Sequence, residues 1–171
     1  MDEVALRDAV SEDVDGLVDL ETSCFDASYL GQDLSRDEFL DRIASPSAVL
    51  IVAEAGTRLL GYALLMLDRS RHRAALDSVA VARDFRGRGV GARLCGALEA
   101  RARHEGFAAI ELEVRTDNGR AITLYERLGY ERAECLPAFY ADGVSALKMI
   151  RRLDRMNPHT ARDLQEVPRH D

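Results

Sequence analysis

Between Phe85 and Leu94 the chain reads FRGRGVGARL, with Gly87, Gly89 and Gly91 set among Arg86, Arg88 and Arg93. Glycine permits unusual backbone dihedrals and lets a ligand come close to the main chain. The stretch joins a strand-like segment, HRAALDSVAVA, to a helix-like one. The first turn of a helix offers unpaired N–H groups and the positive end of its dipole, which suits a phosphate. Arg86 and Arg88 add positive charge at that entrance, and Arg83 and Arg93 lie close by in sequence. A pyrophosphate is the natural guest; the plain alternative is a flexible glycine turn with solvated arginines. A Walker A loop would need G-K-[ST] after its glycines, which is absent. The dinucleotide fingerprint G-x-G-x-x-G is also unmatched, because the spacing here is G-x-G-x-G.

A second group follows in AIELEV. Ile110, Leu112 and Val114 alternate with Glu111 and Glu113, so a strand puts both carboxylates on one face. In a central strand both faces are buried, and carboxylates there are costly unless they meet a cavity or the end of the sheet. An edge strand with one wet face is the other reading. The turn RTDNG leads into a helix carrying Tyr125, which could share a crevice with Glu113.

Arg86-x-x-Gly89-x-Gly91 matches the R/Q-x-x-G-x-G/A signature of the GNAT superfamily of acetyl-CoA-dependent N-acetyltransferases, and LDSVAVARDF resembles the strand before it. With LEVRTDNGRAITLYERLGY further on, the chain closely resembles the RimI-like branch, the ribosomal-protein-alanine N-acetyltransferases. The likeness is close from about Ala74 to Met149 and looser before; the C-terminal tail lies outside it. It implies an α/β (α+β) GNAT fold: a mixed, mostly antiparallel central sheet of six to seven strands, splayed in the middle and flanked by about four helices. It implies acetyl transfer to a primary amine by direct attack, with Glu113 as general base and Tyr125 as general acid. Acetyl-CoA is the co-substrate, and no metal is expected. The resemblance also assigns its contacts. The main chain of Val79, Ala80 and Val81 would bond the pantetheine arm. Arg86, Gly87, Arg88, Gly89, Val90, Gly91 and Ala92 would hold the pyrophosphate. Asn118 would touch the pantetheine region, be a helix cap, or do both, and Tyr125 also contacts the cofactor.

Acetyl transfer makes three demands. The amine must lose a proton, which suits a carboxylate acting directly or through water. The thioester oxygen needs a hydrogen-bond donor as it turns negative. The departing thiolate benefits from a phenolic proton. Asp77 is a rival base; its other reading is a strand-end charge facing solvent. His72 and His104 read as surface residues. Substrate choice falls to the loop CFDASYLGQDLS, with Tyr29, and to the late loop LPAFYADGVSA, with Phe139 and Tyr140. The acceptor is expected to be an amine on a protein or peptide, most simply an N-terminal α-amine. A lysine side chain, a small-molecule amine, or a non-catalytic acyl-CoA sensor are the alternatives.

The elements that must position these groups can be read along the chain. EVALRDA is a first strand. Ser11 is expected to cap a helix over EDVDGLVDLETSCF, with Leu17, Val18, Leu20 and Phe25 toward the core. Ser35 and Glu38 have capping-box spacing, predicting a short helix to about Ile43. Residues 47–68 read as a hairpin turning at Ala55–Gly56–Thr57. Helices are predicted from Gly89 to about Glu105 and from Asn118 to Gly129, with strands at FAAIELEV, YERAEC and VSALKMIRRL. Residues 1–153 form one domain, and 154–171 a polar tail, helical or disordered.

The 171 residues suit one core, and 47% of them are apolar. The net charge of −7 argues against a nucleic-acid surface. Of 23 basic residues 22 are arginine, with Lys148 the exception. Cys24, Cys95 and Cys135 have neither metal nor disulfide-framework spacing, so reduced thiols are expected. MDEVALRDAV does not read as a signal peptide, and no run of about 18 apolar residues suggests a membrane span. A cytoplasmic protein, alone or as a homodimer, is the expectation.

Overall fold

The computed structural model describes residues 3–25 and 34–153. Tyr29 and the tail 154–171 lie outside the described residues.

Alternation in the first half builds a meander: β1 (Ala5–Asp8), β2 (Ala48–Ala55), β3 (Arg58–Asp68) and β4 (Arg73–Val81). Gly56, at a φ of 59°, turns the β2–β3 hairpin at its expected place. The second half adds β5 (Ala109–Arg115), β6 (Glu131–Leu136) and β7 (Ala146–Arg152). The seven strands run in the order β1-β2-β3-β4-β5-β7-β6. Every neighbouring pair is antiparallel except β4–β5, which is parallel. The mixed, mostly antiparallel sheet expected above is therefore present.

Four α-helices cover it among the described residues: α1 (Val14–Cys24), α2 (Arg36–Ala44), α3 (Val90–His104) and α4 (Gly119–Arg127). On one face Val14, Leu17, Leu20 and Phe39 pack against Leu50, Val52, Tyr62, Leu64 and Ala80. On the other, Val90, Leu94, Leu98 and Ile122 pack against Leu65, Leu76, Ile110, Leu112 and Val114.

Three helix starts follow local chemistry. Ser35 and Glu38 exchange side-chain-to-backbone bonds in the expected capping box. Asn118 Oδ1 accepts from Ala121 N at 3.2 Å. Gly89, at a φ of 81°, precedes α3 in a conformation that a Cβ disfavours. The start of α1 differs from expectation. Ser11 lies inside a 3-10 turn, Ser11–Asp13, and its hydroxyl bonds Glu12. Asp13 instead accepts from Val10 N at 2.8 Å and from Arg7, which fixes where the helix begins.

Candidate active site

β4 and β5 share only two rungs, Ala74↔Ile110 and Ala75↔Glu111. Past them the strands diverge. The register of β4 on β3 slips between Leu64↔Ser78 and Leu65↔Leu76, leaving Asp77 as the extra residue of a bulge. A one-residue slip exchanges the faces of a strand. Ala74 and Leu76 face α3, whereas Ala80 and Ala82 face α1. Ala82 N donates to Leu60 O at 2.8 Å. By alternation along an antiparallel strand, Ala80 therefore bonds Tyr62, while Val79 and Val81 turn their backbone groups toward the gap. Of the three residues expected to carry an added strand, Ala80 is directed the other way.

The gap opens into a cavity of about 370 Å³. Asp77, Ser78 and Val79 line it from β4, and Leu112, Glu113, Val114 and Arg115 from β5. Asn118, Ala121 and Tyr125 enter from the α4 side, Glu21 and Phe25 from the end of α1, and Phe139 and Tyr140 from the β6–β7 loop. The sequence-predicted Glu113, Tyr125, Asn118, Val79, Phe139 and Tyr140 thus meet around one space.

The two glutamates of β5 part company. Glu111 belongs to the last rung, and its side chain pairs with Arg73 at 2.8 Å and Lys148 at 3.1 Å. Burial opposes its ionisation, but Lys148 and Arg73 outweigh that and hold its carboxyl below the usual range. Glu113 stands beyond the rung with its side chain 30% exposed, and Arg73 approaches it only to 3.8 Å. Asp77 lines the cavity on one side and is exposed to solvent on the other; the walls push its pKa up, and the Arg42 charge partly offsets them.

Tyr125 stacks at a tilt 5.6 Å from Tyr130. Phe139 is exposed and meets the buried Tyr140 edge-on at 5.2 Å. His72 and His104 are exposed on the surface. All three cysteines are free. Burial, then Glu99, pushes the Cys95 thiol up to about 12, which suits a packed thiol rather than a nucleophile.

The glycine loop continues from the open edge of β4. Val81 O accepts from Arg86 Nε at 3.0 Å and from the Cys24 thiol at 3.4 Å. Arg88 and Arg58 both lie over the Phe85 ring, at 5.2 and 5.0 Å from its centroid. Gly87 (φ 74°) and Gly89 would each hold a Cβ in open space, so their dihedrals and not crowding call for glycine. Gly91 differs: a Cβ there would meet Leu124 of α4 at 3.4 Å, an ordinary van der Waals contact. The loop and the first turn of α3 can receive phosphates, with Val79 linking them to the cavity.

Two charged lining residues escaped the sequence reading. Glu21 is 3% exposed; it accepts from Leu34 N at 3.0 Å and binds the Tyr62 hydroxyl. Its signal was there: position 21 continues the apolar stripe of Val14 and Leu17. Arg115 extends the alternation of Glu111 and Glu113 along the same face.

Residues 14–130 match the family model described as the acetyltransferase (GNAT) family. An uncharacterised protein of Mycobacterium leprae is 37% identical over 81% of this chain, which spans only 38% of that protein's length. An uncharacterised N-acetyltransferase of Methanocaldococcus jannaschii is 30% identical, over 86% of this chain and 90% of that one. An N-alpha-acetyltransferase of Sulfurisphaera tokodaii is 29% identical, over 86% and 92%. Among solved structures, the ribosomal-protein-S18-alanine N-acetyltransferase of Escherichia coli has a TM-score of 0.77 at 21% identity, covering 91% of this chain and 97% of that one. A Salmonella typhimurium putative acetyltransferase, solved with its cofactor acetyl-CoA, has the same TM-score at 19% identity, covering 91% and 96%.

Proposed function

The chain belongs to the GNAT acetyltransferase family, and from that premise we propose that it acetylates the α-amine at the N-terminus of a protein or peptide. It is an acetyl-CoA-dependent N-acetyltransferase, with acetyl-CoA as the co-substrate. The acceptor reading draws support from the N-alpha-acetyltransferase of similar length, which aligns across most of both chains.

The observation that carries the mechanism is the meeting of Glu113 and Tyr125 in the cavity that opens past the last β4–β5 rung. Glu113, directly or through a water, takes a proton from the acceptor ammonium. The freed nitrogen forms a bond to the thioester carbonyl carbon. A backbone N–H on the open edge of β4, at Val79 or Val81, donates to the carbonyl oxygen as it becomes negative. When the carbon–sulfur bond breaks, Tyr125 gives its proton to the departing thiolate, the nitrogen sheds its remaining extra proton to water to become the amide, and exchange with solvent restores the Tyr125 phenol and the Glu113 carboxylate. Asn118 and the edge of β4 hold the pantetheine arm, while residues 86–92 hold the pyrophosphate. Phe25, Phe139 and Tyr140 form acceptor walls. The three free cysteines support a reducing, cytoplasmic setting.

A panel of N-terminal peptides, lysine peptides and small amines, read by thiol release and by mass location of the acetyl group, tests this. Acetylation of peptide α-amines is the expected result. Acetyl groups found only on lysine side chains or small amines would overturn the acceptor reading.

A further inference from the structure

Few charged side chains are buried among the described residues, and Arg115 is one of them, its side chain 5% exposed at the end of β5. Burying a guanidinium is costly unless its donors are matched. Its Nε and Nη2 donate to the Asp117 carboxylate at 3.0 and 2.9 Å. Nη2 also donates to Asp142 Oδ2 at 2.7 Å. The guanidinium carbon lies 5.0 Å from the centroid of the Tyr140 ring.

These partners belong to two different segments. Asp117 immediately precedes Asn118, the cap of α4. Asp142 and Tyr140 lie in the β6–β7 loop, which folds on itself through Tyr140 N to Val144 O at 3.0 Å and Val144 N to Asp142 Oδ1 at 3.2 Å. We propose that Arg115 is a positioning residue that fastens the β6–β7 loop to the β5–α4 turn, so that one guanidinium sets the acceptor wall against the cofactor wall. This rests on the function proposed above, which gives Phe139 and Tyr140 to the acceptor and Asn118 to the cofactor. Arg115 touches neither reacting group in this scheme; it acts through the segments it holds. A lysine would keep the charge but lose the planar fork that reaches two carboxylates at once.

The test uses the full chain with acetyl-CoA and the peptide acceptor found in the panel. Asp142→Asn removes one carboxylate without changing its size. Its acceptor KM is expected to rise by about fivefold or more, with the acetyl-CoA KM and kcat little changed. Arg115→Lys should raise both KM values, and adding Asp142→Asn to it should change the acceptor KM little further. A merely structural role would lower the melting temperature without this split. A wild-type acceptor KM in Asp142→Asn overturns the proposal. Hydrogen exchange over residues 138–144, measured without substrate, gives an independent reading: faster exchange in Asp142→Asn supports the fastening, and unchanged exchange overturns it. Failure of the wild-type chain to acetylate any α-amine overturns the acceptor assignment instead, and the exchange measurement still decides the role of Arg115.

Discussion

Ala75 pairs with Glu111, and that is the last rung between β4 and β5. β4 continues to Val81 and β5 to Arg115 with their facing backbones apart. Backbone N–H and C=O groups left without partners call for water or a ligand. An extended amide chain can bond such an edge as an added strand. The pantetheine arm of acetyl-CoA carries amides of this kind, and the proposed function places it in this splay.

Glu113→Gln and Tyr125→Phe should each lower kcat by about tenfold or more while leaving acetyl-CoA affinity within about twofold, because each removes a proton-transfer group but little binding surface. Asp77→Asn should cost less than either if Glu113 is the base. The ordering of the three kcat values, with calorimetric cofactor binding, checks this. A larger loss for Asp77→Asn than for Glu113→Gln would move the base to β4.

Gly89→Ala should weaken acetyl-CoA binding and lower stability by about 1–2 kcal/mol. Gly89 holds a φ of 81° before α3, and a Cβ there would meet nothing within 4 Å. The whole cost is therefore conformational, and relieving the strain would move the N–H groups that the proposed function gives to the pyrophosphate. Chemical denaturation and a cofactor titration measure the two effects separately. A variant of unchanged stability and affinity would show that the loop does not need this dihedral.

What could be read from sequence was local or periodic. The Ser35–Glu38 box, the Asn118 cap and the glycines at 87 and 89 each depend on residues within one turn. The face shared by Glu111 and Glu113 follows from a period of two. What separates them, one clamped by Arg73 and Lys148 and the other open to a cavity, depends on where β4 and β5 part. That is settled by the bulge at Asp77 against β3, and no local pattern encodes it. That Arg88 stacks on Phe85 beside Arg58 is not legible either, because it needs the β2–β3 turn to be brought alongside. The misplaced cap at Ser11 has a similar origin, since Asp13 is held by Arg7 and Arg7 also binds Glu54 on β2.

Asp77→Asn should stabilise the protein at neutral pH. Desolvation by the cavity walls raises the folded-state pKa of Asp77 above its ordinary 3.8, despite the Arg42 charge, but the residue is exposed on its open side and water keeps the effect small. A raised carboxyl favours folding only while it is protonated. Its contribution is present below about pH 3.8 and is lost as pH rises through the folded value. At pH 7 the folded chain bears the cost of a crowded carboxylate, which asparagine removes. Melting temperatures from pH 3 to 8 should show the variant's advantage at neutral pH and its disappearance in acid. An advantage that stayed constant over that range would mean that charge at residue 77 is not the cause.

Tyr62→Phe should destabilise the protein near neutrality and lose part of that disadvantage in alkali. Tyr62 is fully buried; its hydroxyl binds Glu21 and lies 2.8 Å from Ser78 Oγ. Phenylalanine leaves the buried Glu21 carboxylate with one donor fewer, a loss of about 1–3 kcal/mol. Burial first, and the Glu21 charge second, hold the phenol of Tyr62 protonated well above its ordinary 10.0. Its contribution is therefore complete below about pH 10 and declines above it, as the unfolded chain releases a proton that the folded chain retains. Phenylalanine has no such proton, so the stability gap between wild type and variant should narrow above pH 10. Tyr130, also raised by burial, is unchanged in the variant, so both proteins still weaken in alkali. Urea denaturation at pH 8 and pH 11 measures the gap directly. A gap of equal size at both values would mean that the buried phenol of Tyr62 ionises as readily in the folded chain as in the unfolded one.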